Sequence, residues 1–494
     1  MGEKQLMTRR FTAAFVLAAL PFVSPAVAET VGAADKAAAS DQAAAQPSVS
    51  QPLAVAARPA ANPGSQFKAT PVLPIAEPVA ASAQDLLNRG ILLRGTFNND
   101  FQGNPIGGLQ QGTANGGTAT FGADFHLGRL VGIEGGQIHF LLANTYGTTM
   151  QSYIGNYIKS QGWYYPYQRF ELAQMAYEQD LFDGRVNIYA GRTNATAFFA
   201  RSTYGCYFVS GSQCPQYLTL FGGGFSGFPY ATWGGRVLVK PMDRIYVESG
   251  VFSVDPNRRN VSGFDLGLQT VTGMVVPFEI GYQTDFSNDE YPRHFKLGGW
   301  YNDAPSVDPL LNTRHLSRAL SAGAPLMNTF SRAGIYGQAD QVIYRPDNSK
   351  RNLAIFATVA APFDEREVLA QQSTIGAVFT GPFDSRPRDT VGLMLTYITF
   401  TPAETLYMNQ LLKKNGSTTF VSPNQLNIEA NYNIRVFPGF SLTPNIEYII
   451  NPDTTQRPNA RFAPQDALII GVRATFNLGD FLGLPSALPG STRG

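Results

Sequence analysis

Charged residues are scarce in this chain. Asp, Glu, Lys and Arg make up 15% of its 494 residues, whereas an ordinary soluble domain has about a quarter. The two signs nearly cancel, and a formal net charge of +1 argues against nucleic acid as a partner. The 4 histidines and 2 cysteines are too scattered to indicate a metal site. We therefore expect no nucleic acid, metal or cofactor to bind.

Motifs of catalysis are also missing. The sequence has no Gly-x-Ser-x-Gly elbow, no His-Glu-x-x-His, no Walker loop and no Cys-x-x-Cys pair. The segment LFGGGFSG is rich in glycine but lacks the Lys-Ser/Thr that a phosphate-binding loop requires. Its glycines would instead let the backbone turn tightly. We therefore expect a protein that is not an enzyme and has no catalytic residue.

Long apolar runs are absent except near the N-terminus. The basic segment MGEKQLMTRR, the apolar segment FTAAFVLAALPFV and the segment SPAVA predict a signal peptide, residues 1–28. A start-anchor helix is the alternative, but this run is shorter than the roughly 20 residues that a span needs. No later run could form a transmembrane helix, so a membrane form of this chain would have to be a closed barrel.

Composition divides the rest of the chain into three parts. Residues 29–84 are rich in Ala, Pro, Ser and Gln and lack aromatic periodicity, which predicts a disordered periplasmic tether. Residues 85–477 carry the strand pattern described next. Residues 478–494 form a C-terminal tail.

Alternation of apolar and polar residues is the main signal in the sequence. Between residues 425 and 436, every second residue is apolar or aromatic and the residues between them are polar. A period of two predicts a strand with one apolar and one polar face. The apolar face could pack on a core or face lipid. The apolar residues are Leu426, Ile428, Ala430, Tyr432, Ile434 and Val436.

The connections between strands decide between core and lipid. Sixteen candidate strands lie between residues 90 and 477, most of about 9–11 residues, the length of a tilted membrane-crossing strand. Short, turn-rich connections alternate with long ones, as in a barrel with tight periplasmic turns and long external loops. The predicted fold is all-β, a sixteen-stranded antiparallel transmembrane β-barrel of the outer-membrane porin type. The long connections are 98–118, 145–166, 194–231, 253–271, 303–331 and 401–424.

The order of several segments resembles a known family. FNNDFQGNPIGG, FELAQMAYEQDLFDGRVNIYAGRTNATAFFA, YGCYF, ATWGGRVLVKP, YGQADQVIYRP and IEYIINPD resemble the carbohydrate-selective porins of the OprB family, from about residue 89 to 476. The resemblance implies a barrel in the outer membrane of a Gram-negative bacterium that passes small neutral sugars. One departure is that Phe476 is followed by a tail instead of ending the chain. Either Phe476 is an internal assembly signal or the tail folds back as a periplasmic extension.

Polar residues on the predicted inner face are candidates for the pore lining. Hydrogen-bonding groups can replace the hydration water of a polyol, and a mixture of arginine and glutamate carries little net charge. The alternative is that these residues form structural pairs on the inner wall. The candidates are Arg94, Arg169, Glu171, Asn187, Arg236, Glu429, Asn431, Arg435, Glu447 and Arg473.

The longest connection, 194–231, is the candidate selectivity element. It is the third external loop, which in porins generally folds into the barrel, and its aromatic residues would be costly in water. They could line a constriction, or instead form a packed plug or a trimer contact. The named candidates are Phe198, Phe199, Tyr204 and Tyr207, with Trp233 at the barrel edge. Cys206 and Cys214, in the same loop, are expected to form a disulfide in an exported protein, with two free thiols as the alternative.

Two other functions stay open at this point. A general or weakly ion-selective porin would use the same barrel with a lumen of one dominant charge. A barrel enzyme or a secreted β-rich lectin is the alternative from another class. The expected partners are outer-membrane lipid and small neutral sugars, and porins as a class suggest a homotrimer.

Overall fold

The computed structural model describes residues 77–166, 168–256, 262–346 and 351–487. The predicted signal peptide, residues 29–76 of the predicted tether and the last residues of the tail lie outside this part of the chain.

Sixteen strands close into one antiparallel barrel in which sequential strands are neighbours and the first strand pairs with the last. Closure leaves no strand edge unpaired. The barrel strands are β1 (Ile91–Gly108), β2 (Gly112–His126), β3 (Gly136–Gly147), β4 (Phe170–Leu181), β5 (Val186–Thr193), β6 (Thr232–Met242), β7 (Ile245–Val254), β8 (Gly273–Gln283), β9 (Arg293–Asn302), β12 (Arg332–Tyr344), β13 (Asn352–Pro362), β14 (Leu369–Thr380), β15 (Thr390–Phe400), β16 (Asn424–Phe437), β17 (Phe440–Ile450) and β18 (Gln465–Asn477). The predicted barrel of sixteen strands is confirmed.

The other elements lie in the connections between the barrel strands and next to the first and last strands. A separate two-stranded sheet of β10 (Ser306–Asn312) and β11 (Pro325–Asn328) stands in the connection between β9 and β12. The helices are α1 (Glu77–Asn88), α2 (Leu127–Val131), α3 (Gln151–Ile154), α4 (Tyr217–Phe221), α5 (Pro402–Lys414) and α6 (Leu478–Leu482), with short 3-10 turns at Ala195–Ala197 and Gly205–Tyr207. Within the described residues, no helix has the length and apolarity that crossing a membrane requires.

The strand alternation places polar side chains inside the barrel. Along β16 the side chains of Gln425, Asn427 and Glu429 are buried inside, whereas the apolar residues between them face outward. Large apolar side chains on the outer face of other strands are about half exposed, which would be unfavourable in water and is favourable in lipid. Examples are Phe121 (59%), Phe278 (53%), Leu297 (53%), Ile375 (60%) and Ile470 (52%).

One predicted connection is wrong. Residues 98–118 do not form a long loop, because β1 continues to Gly108 and β2 begins at Gly112, with the two strands paired throughout. This part of β1 is rich in Asn, Asp, Gly and Pro, although Phe101 and Ile106 are exposed on its outer face. Those residue types are typical of turns and rare in strands, which is why the sequence predicts a loop here. The extension puts Asp100 on the inner face of the barrel, where it is fully buried.

Helix α1 overlaps the end of the predicted tether, so the prediction of disorder is wrong for residues 77–84. Ala80, Ala83 and Leu87, three and four residues apart on one helical face, are buried against Leu92 and Leu482. Helix α6, the first part of the C-terminal tail, therefore folds back onto α1 at the end of the barrel where β1 begins and β18 ends. We call this end the turn end and the opposite one the loop end.

Candidate functional site

The connection 194–231, called loop 3 below, is folded into the barrel. Its central part is held by β16 and β18. The backbone N–H groups of Val209 and Ser210 donate to the Glu429 carboxylate at 2.7 and 2.8 Å. The Arg473 guanidinium donates to the carbonyl oxygens of Phe208 and Val209 at 2.9 and 2.8 Å. Glu429 thus binds N–H groups, and Arg473 binds carbonyl oxygens, of the same segment of loop 3 backbone.

The start of loop 3 is held by strands on the other side of the lumen. The N–H of Ala200 donates to the Glu279 carboxylate at 3.2 Å, and Lys296 Nζ donates to the carbonyl oxygen of Arg201 at 3.0 Å. Since Glu279 and Lys296 lie on β8 and β9, loop 3 bridges the barrel from one wall to the other.

Gln372 of β14 holds a third part of loop 3. Its Oε1 accepts from the N–H of Leu218 and its Nε2 donates to the carbonyl oxygen of Ser212, both at 2.7 Å. The amide side chain thus satisfies one donor and one acceptor of the loop backbone, which would otherwise be buried without partners.

A second connection also enters the lumen. Residues 148–166, called loop 2 below, contact loop 3 through two backbone hydrogen bonds, from Gly162 N to Val209 O and from Gly211 N to Lys159 O, both at 2.9 Å. The carbonyl oxygen of Trp163 accepts from Thr118 Oγ1 at 2.7 Å. The constriction is therefore built from two loops that share a short hydrogen-bonded ladder.

An ion pair on the wall joins the two loops. Arg473 Nε and Nη2 donate to the two carboxylate oxygens of Asp100 at 2.6 and 3.0 Å, and the Asp100 carboxylate also accepts from Trp163 N at 3.2 Å. A Cβ on Gly162 would lie 3.0 Å from both Arg473 Nη2 and Val209 O. The absence of a side chain at this position lets loop 2 approach loop 3 this closely.

Loop 3 is closed on itself by a covalent bond. Cys206 and Cys214 form a disulfide with their Cα atoms 4.9 Å apart. The bonded pair borders the ladder between the loops, because Val209 and Gly211, which form the ladder, lie between the two cysteines. Among the residues of loop 3, Arg201 alone has a charged side chain, and burial lowers the pKa of its guanidinium to about 10. Arg201 therefore stays cationic at neutral pH.

Two cavities lie on either side of the loops. The loop-side cavity, about 660 Å³ including open solvent, is lined by Gly162, Trp163, Tyr165, Asn194, Thr196, Ala197, Arg201, Cys206, Phe208, Ser210, Cys214, Pro215, Phe228 and Arg473. The turn-side cavity, about 310 Å³ including open solvent, is lined by Asn98, Trp163, Cys206, Tyr207, Asn433, Ser441, Thr443, Arg473 and Thr475. Trp163, Cys206 and Arg473 line both cavities. These three residues mark the narrow zone between them.

Three predicted pore-lining residues meet at this zone. Glu429 and Arg473 hold loop 3 as described, and Asn431 Nδ2 donates to the carbonyl oxygen of Tyr207 at 3.1 Å and to Glu429 at 3.0 Å. Glu447, opposite Glu429 in the strand register, accepts from Asn427 at 3.0 Å and lines neither cavity. Arg435 Nη1 lies 3.7 Å from the Asp480 carboxylate near the turn end.

The other predicted residues form pairs along the wall from β1 to β7, which begins next to β18. Arg94 contacts Asp124 at 2.9 Å, in a network in which His139 joins the Asp124 and Glu178 carboxylates at 2.6 and 2.9 Å. Asn187 Nδ2 donates to Glu178 at 2.8 Å. This part of the wall is a continuous polar network that lines neither cavity.

Two further ion pairs contain the remaining predicted pore-lining residues. Arg169 contacts Glu171 at 2.7 Å, and Arg236 contacts Glu248 at 3.1 Å and stacks 4.6 Å over the Phe198 ring. Pairing of these arginines with carboxylates leaves little unbalanced charge on the inner wall.

The predicted constriction aromatics occupy different places. Phe199 is fully buried in the main apolar cluster, and Phe198 packs against that cluster. Tyr204 and Tyr207 pack against a second cluster that contains Phe208, and Tyr207 lines the turn-side cavity. Burial raises the pKa of the Tyr204 and Tyr207 hydroxyls.

Trp233 requires a correction. It lies on β6 three positions before Arg236 and so faces the other side of the strand. Its indole N–H donates to the carbonyl oxygen of Leu266 at 3.0 Å, in the connection after β7. The structure therefore places Trp233 outside the constriction.

Several residues of the site were not predicted. Asp100 was assigned to a loop that does not exist, and the roles of Glu279, Lys296 and Gln372 depend on contacts with a distant loop. Trp163 had a usable signal: the aromatic residues WYY at 163–165 in loop 2 are as costly in external water as the aromatics of loop 3, and the same argument would have placed them inside.

Comparisons with known proteins agree with this geometry. A family model described as "Carbohydrate-selective porin, OprB family" matches residues 110–478. Porin B of Pseudomonas aeruginosa is 23% identical over 316 residues, which cover 62% of this chain and 68% of the relative. The putative porin QuiX of Acinetobacter baylyi is 24% identical over 371 residues, covering 68% and 79%. The high-pH structure of Pseudomonas putida OprB has a TM-score of 0.71 and 20% identity, covering 81% of this chain and 97% of that one, which shows a shared fold.

Proposed function

Because this chain belongs to the OprB family of carbohydrate-selective porins and is a carbohydrate porin of the outer membrane, we propose that monosaccharides and similar small polyols cross it between loops 2 and 3. The turn end then faces the periplasm and the loop end faces the outside. The path runs from the loop-side cavity, past Trp163 and the Cys206–Cys214 disulfide, into the turn-side cavity.

The single observation that carries this proposal is the composition of the narrow zone and of the turn-side cavity next to it. Aromatic rings of Trp163 and Tyr207 offer flat faces to the C–H surfaces of a sugar, while amides and hydroxyls supply hydrogen bonds in place of water. The one arginine that lines both cavities is paired with Asp100. A neutral solute therefore meets matching polar groups without a net charge that would select ions.

Passive diffusion follows from the same features. A solute must bind strongly enough to enter and weakly enough to leave. Each neutral hydrogen bond exchanged with water contributes only about 0.5–1.5 kcal/mol, so a few such contacts give weak, reversible binding. The fold and the family indicate a channel rather than an enzyme.

Single-channel recording tests the proposal. The refolded protein is inserted into a planar bilayer, and its conductance is titrated with glucose and then with other sugars. We expect glucose to block the current reversibly in the millimolar range. An open current that no sugar affects would instead favour a general or weakly ion-selective porin. Absence of any current would mean that loops 2 and 3 close the barrel.

The remaining assignments are proposals of the same kind. We propose that residues 1–28 are a signal peptide and that residues 29–76 are a periplasmic tether. Mass spectrometry of the mature protein from outer membranes would show whether the chain begins after Ala28. The expected homotrimer stays a prediction, which cross-linking in native membranes would test.

A further inference from the structure

We propose that the turn-side cavity is a binding site for a neutral monosaccharide, separate from the narrow zone and reached directly from the periplasm. The proposal deepens the function given above and rests on it. It assigns sugar contacts to the inner faces of β1, β16 and β17, in addition to those of the two loops.

The location of the cavity comes from the strand register. Ser441 is the second residue of β17, immediately after the tight turn from β16, and it pairs with both Arg435 and Thr475. Asn98 pairs with Thr475 on the other side of β18. These residues therefore form one band of wall next to the turn end. The connections of the loop end contribute the ceiling of the cavity, through Trp163 and Tyr207.

An unused donor lies in this band. Asn98 is 1% exposed, and its Oδ1 accepts from Thr475 Oγ1 at 2.9 Å. Its Nδ2 has no hydrogen-bond partner among the described residues. A buried N–H without a partner costs free energy comparable to a lost hydrogen bond. A sugar hydroxyl in the cavity would be an acceptor for it.

Two hydroxyls face the same space. Asn433 Nδ2 donates to Thr443 Oγ1 at 2.7 Å and to Ser441 Oγ at 3.3 Å. Because both hydroxyl oxygens act as acceptors toward Asn433, their own protons are directed elsewhere and can be donated to a ligand. The band thus offers N–H and O–H donors together with hydroxyl oxygens, which is the complement of a polyol.

Electrostatics favour a neutral ligand over an anion. Arg473 is the only cationic residue among those that line the turn-side cavity. Its guanidinium already binds both oxygens of Asp100 and the carbonyl oxygens of Phe208 and Val209. It therefore has little capacity left to bind a carboxylate or phosphate, whereas Trp163 and Tyr207 offer aromatic faces to a sugar.

The test measures glucose block in oriented single channels. A peptide tag inserted at Gly416, an open position on the connection after α5, identifies the external side of each channel through antibody binding. D-glucose is then added to one chamber at a time. We expect a higher association rate from the periplasmic side, because that sugar reaches the site without passing the loops. Equal rates, or a higher rate from outside, would overturn the location.

Two substitutions test the contacts. Asn98→Asp keeps the oxygen that accepts from Thr475 and removes the unused donor, and Thr443→Val removes one hydroxyl at nearly constant volume. Each should weaken the apparent glucose affinity roughly 2- to 10-fold, the worth of one hydrogen bond. The matched control is Asn352→Asp, which introduces the same charge on the inner face of β13 near the turn end, away from both cavities. It should leave the affinity unchanged.

The possible results separate this inference from the proposed function. Glucose block that persists with unchanged affinity in both variants would refute the turn-side site and leave the sugar porin intact. Loss of affinity in Asn352→Asp as well would also refute it, since the effect would then come from added charge. A wild-type channel that conducts ions but is not blocked by glucose would refute both proposals.

Discussion

The contact between Glu429 and the backbone of loop 3 gives the sharpest test of how the constriction is held. The carboxylate accepts from two consecutive N–H groups, those of Val209 and Ser210. The substitution Glu429→Gln preserves the shape but leaves only one accepting oxygen. One backbone N–H then faces an NH₂ group and loses its partner.

The structure sets the size of the effect. A hydrogen bond to a charged group contributes about 1.5–3 kcal/mol, so we expect local opening of this part of loop 3 to become easier by about 2 kcal/mol. At 1.4 kcal/mol per factor of ten, this is roughly 30-fold faster amide hydrogen exchange at Val209 and Ser210. The rest of loop 3 should change little, because Arg473 and Gln372 still hold it.

The assay is hydrogen–deuterium exchange of the refolded protein in detergent, followed by mass spectrometry of peptides that contain the two amides. Glu447→Gln is the matched control, since Glu447 is equally buried, lies opposite Glu429 on β17 and is not bonded to loop 3. Exchange that is unchanged in Glu429→Gln, or accelerated equally in the control, would refute the reasoning. The first result would mean that the carboxylate does not hold the loop, and the second that any loss of charge loosens it.

Four further perturbations have expected outcomes. Replacing Cys206 and Cys214 by Ser removes a cross-link that contributes roughly 2–3 kcal/mol by loop entropy. The noise of the single-channel current should rise, while the barrel should keep its resistance to SDS. Unchanged current noise would show that the contacts with the barrel wall alone hold loop 3. Trp163→Ala should raise conductance and weaken glucose block roughly 2- to 10-fold, as one aromatic face is lost; an unchanged block would place the sugar elsewhere. Leu87→Ala should weaken the packing of α1 against the barrel by about 2–5 kcal/mol, so a protease should cut α1 and leave the barrel intact. Protease resistance of α1 equal to that of the wild type would contradict this prediction. Burial raises the pKa of Glu404 from 4.5 to about 7. Protonation of Glu404 therefore stabilises α5 fully below pH 4.5, and this contribution is lost as the pH rises through 7. Amide exchange in α5, corrected for intrinsic rates, should be faster at pH 8 than at pH 5, and the Glu404→Gln variant should lose this pH dependence.

The local alternation of apolar and polar residues was enough to predict the barrel wall. A strand that crosses lipid must alternate, and every apolar residue of the outer face records that requirement in the sequence. The alternation in residues 425–436 identified β16, and counting such segments predicted sixteen strands. The regular change between short and long connections then indicated that the apolar side faces lipid. Where turn-type residues interrupt the alternation, as in the Asn-, Gly- and Pro-rich extension of β1, the signal fades, and the predicted strand stops eleven residues short of Gly108.

The interior could be predicted only in part. Arg473 and Glu429 were expected to face the lumen from the alternation of their strands, and the loop position and aromatics indicated that residues 194–231 enter the barrel. Nothing local indicates that these two side chains would bind the same loop segment, because Val209 lies more than two hundred residues away from both in the chain. Loop 2 was missed for the same reason, since its ladder with loop 3 uses backbone groups that every residue has.

The sequence by itself thus determined the closed barrel, the lipid-facing side of strands with clear alternation such as β16, and the family of sugar porins. These properties depend on whether a side chain contacts lipid or water, and that contact selects the type of each residue separately. Only the tertiary structure decided which polar residues remain open to a solute and which, like Arg473 with Asp100, are saturated by partners. That distinction depends on hydrogen bonds between segments far apart in the chain, and a buried donor or acceptor is available to a sugar only when no such partner reaches it.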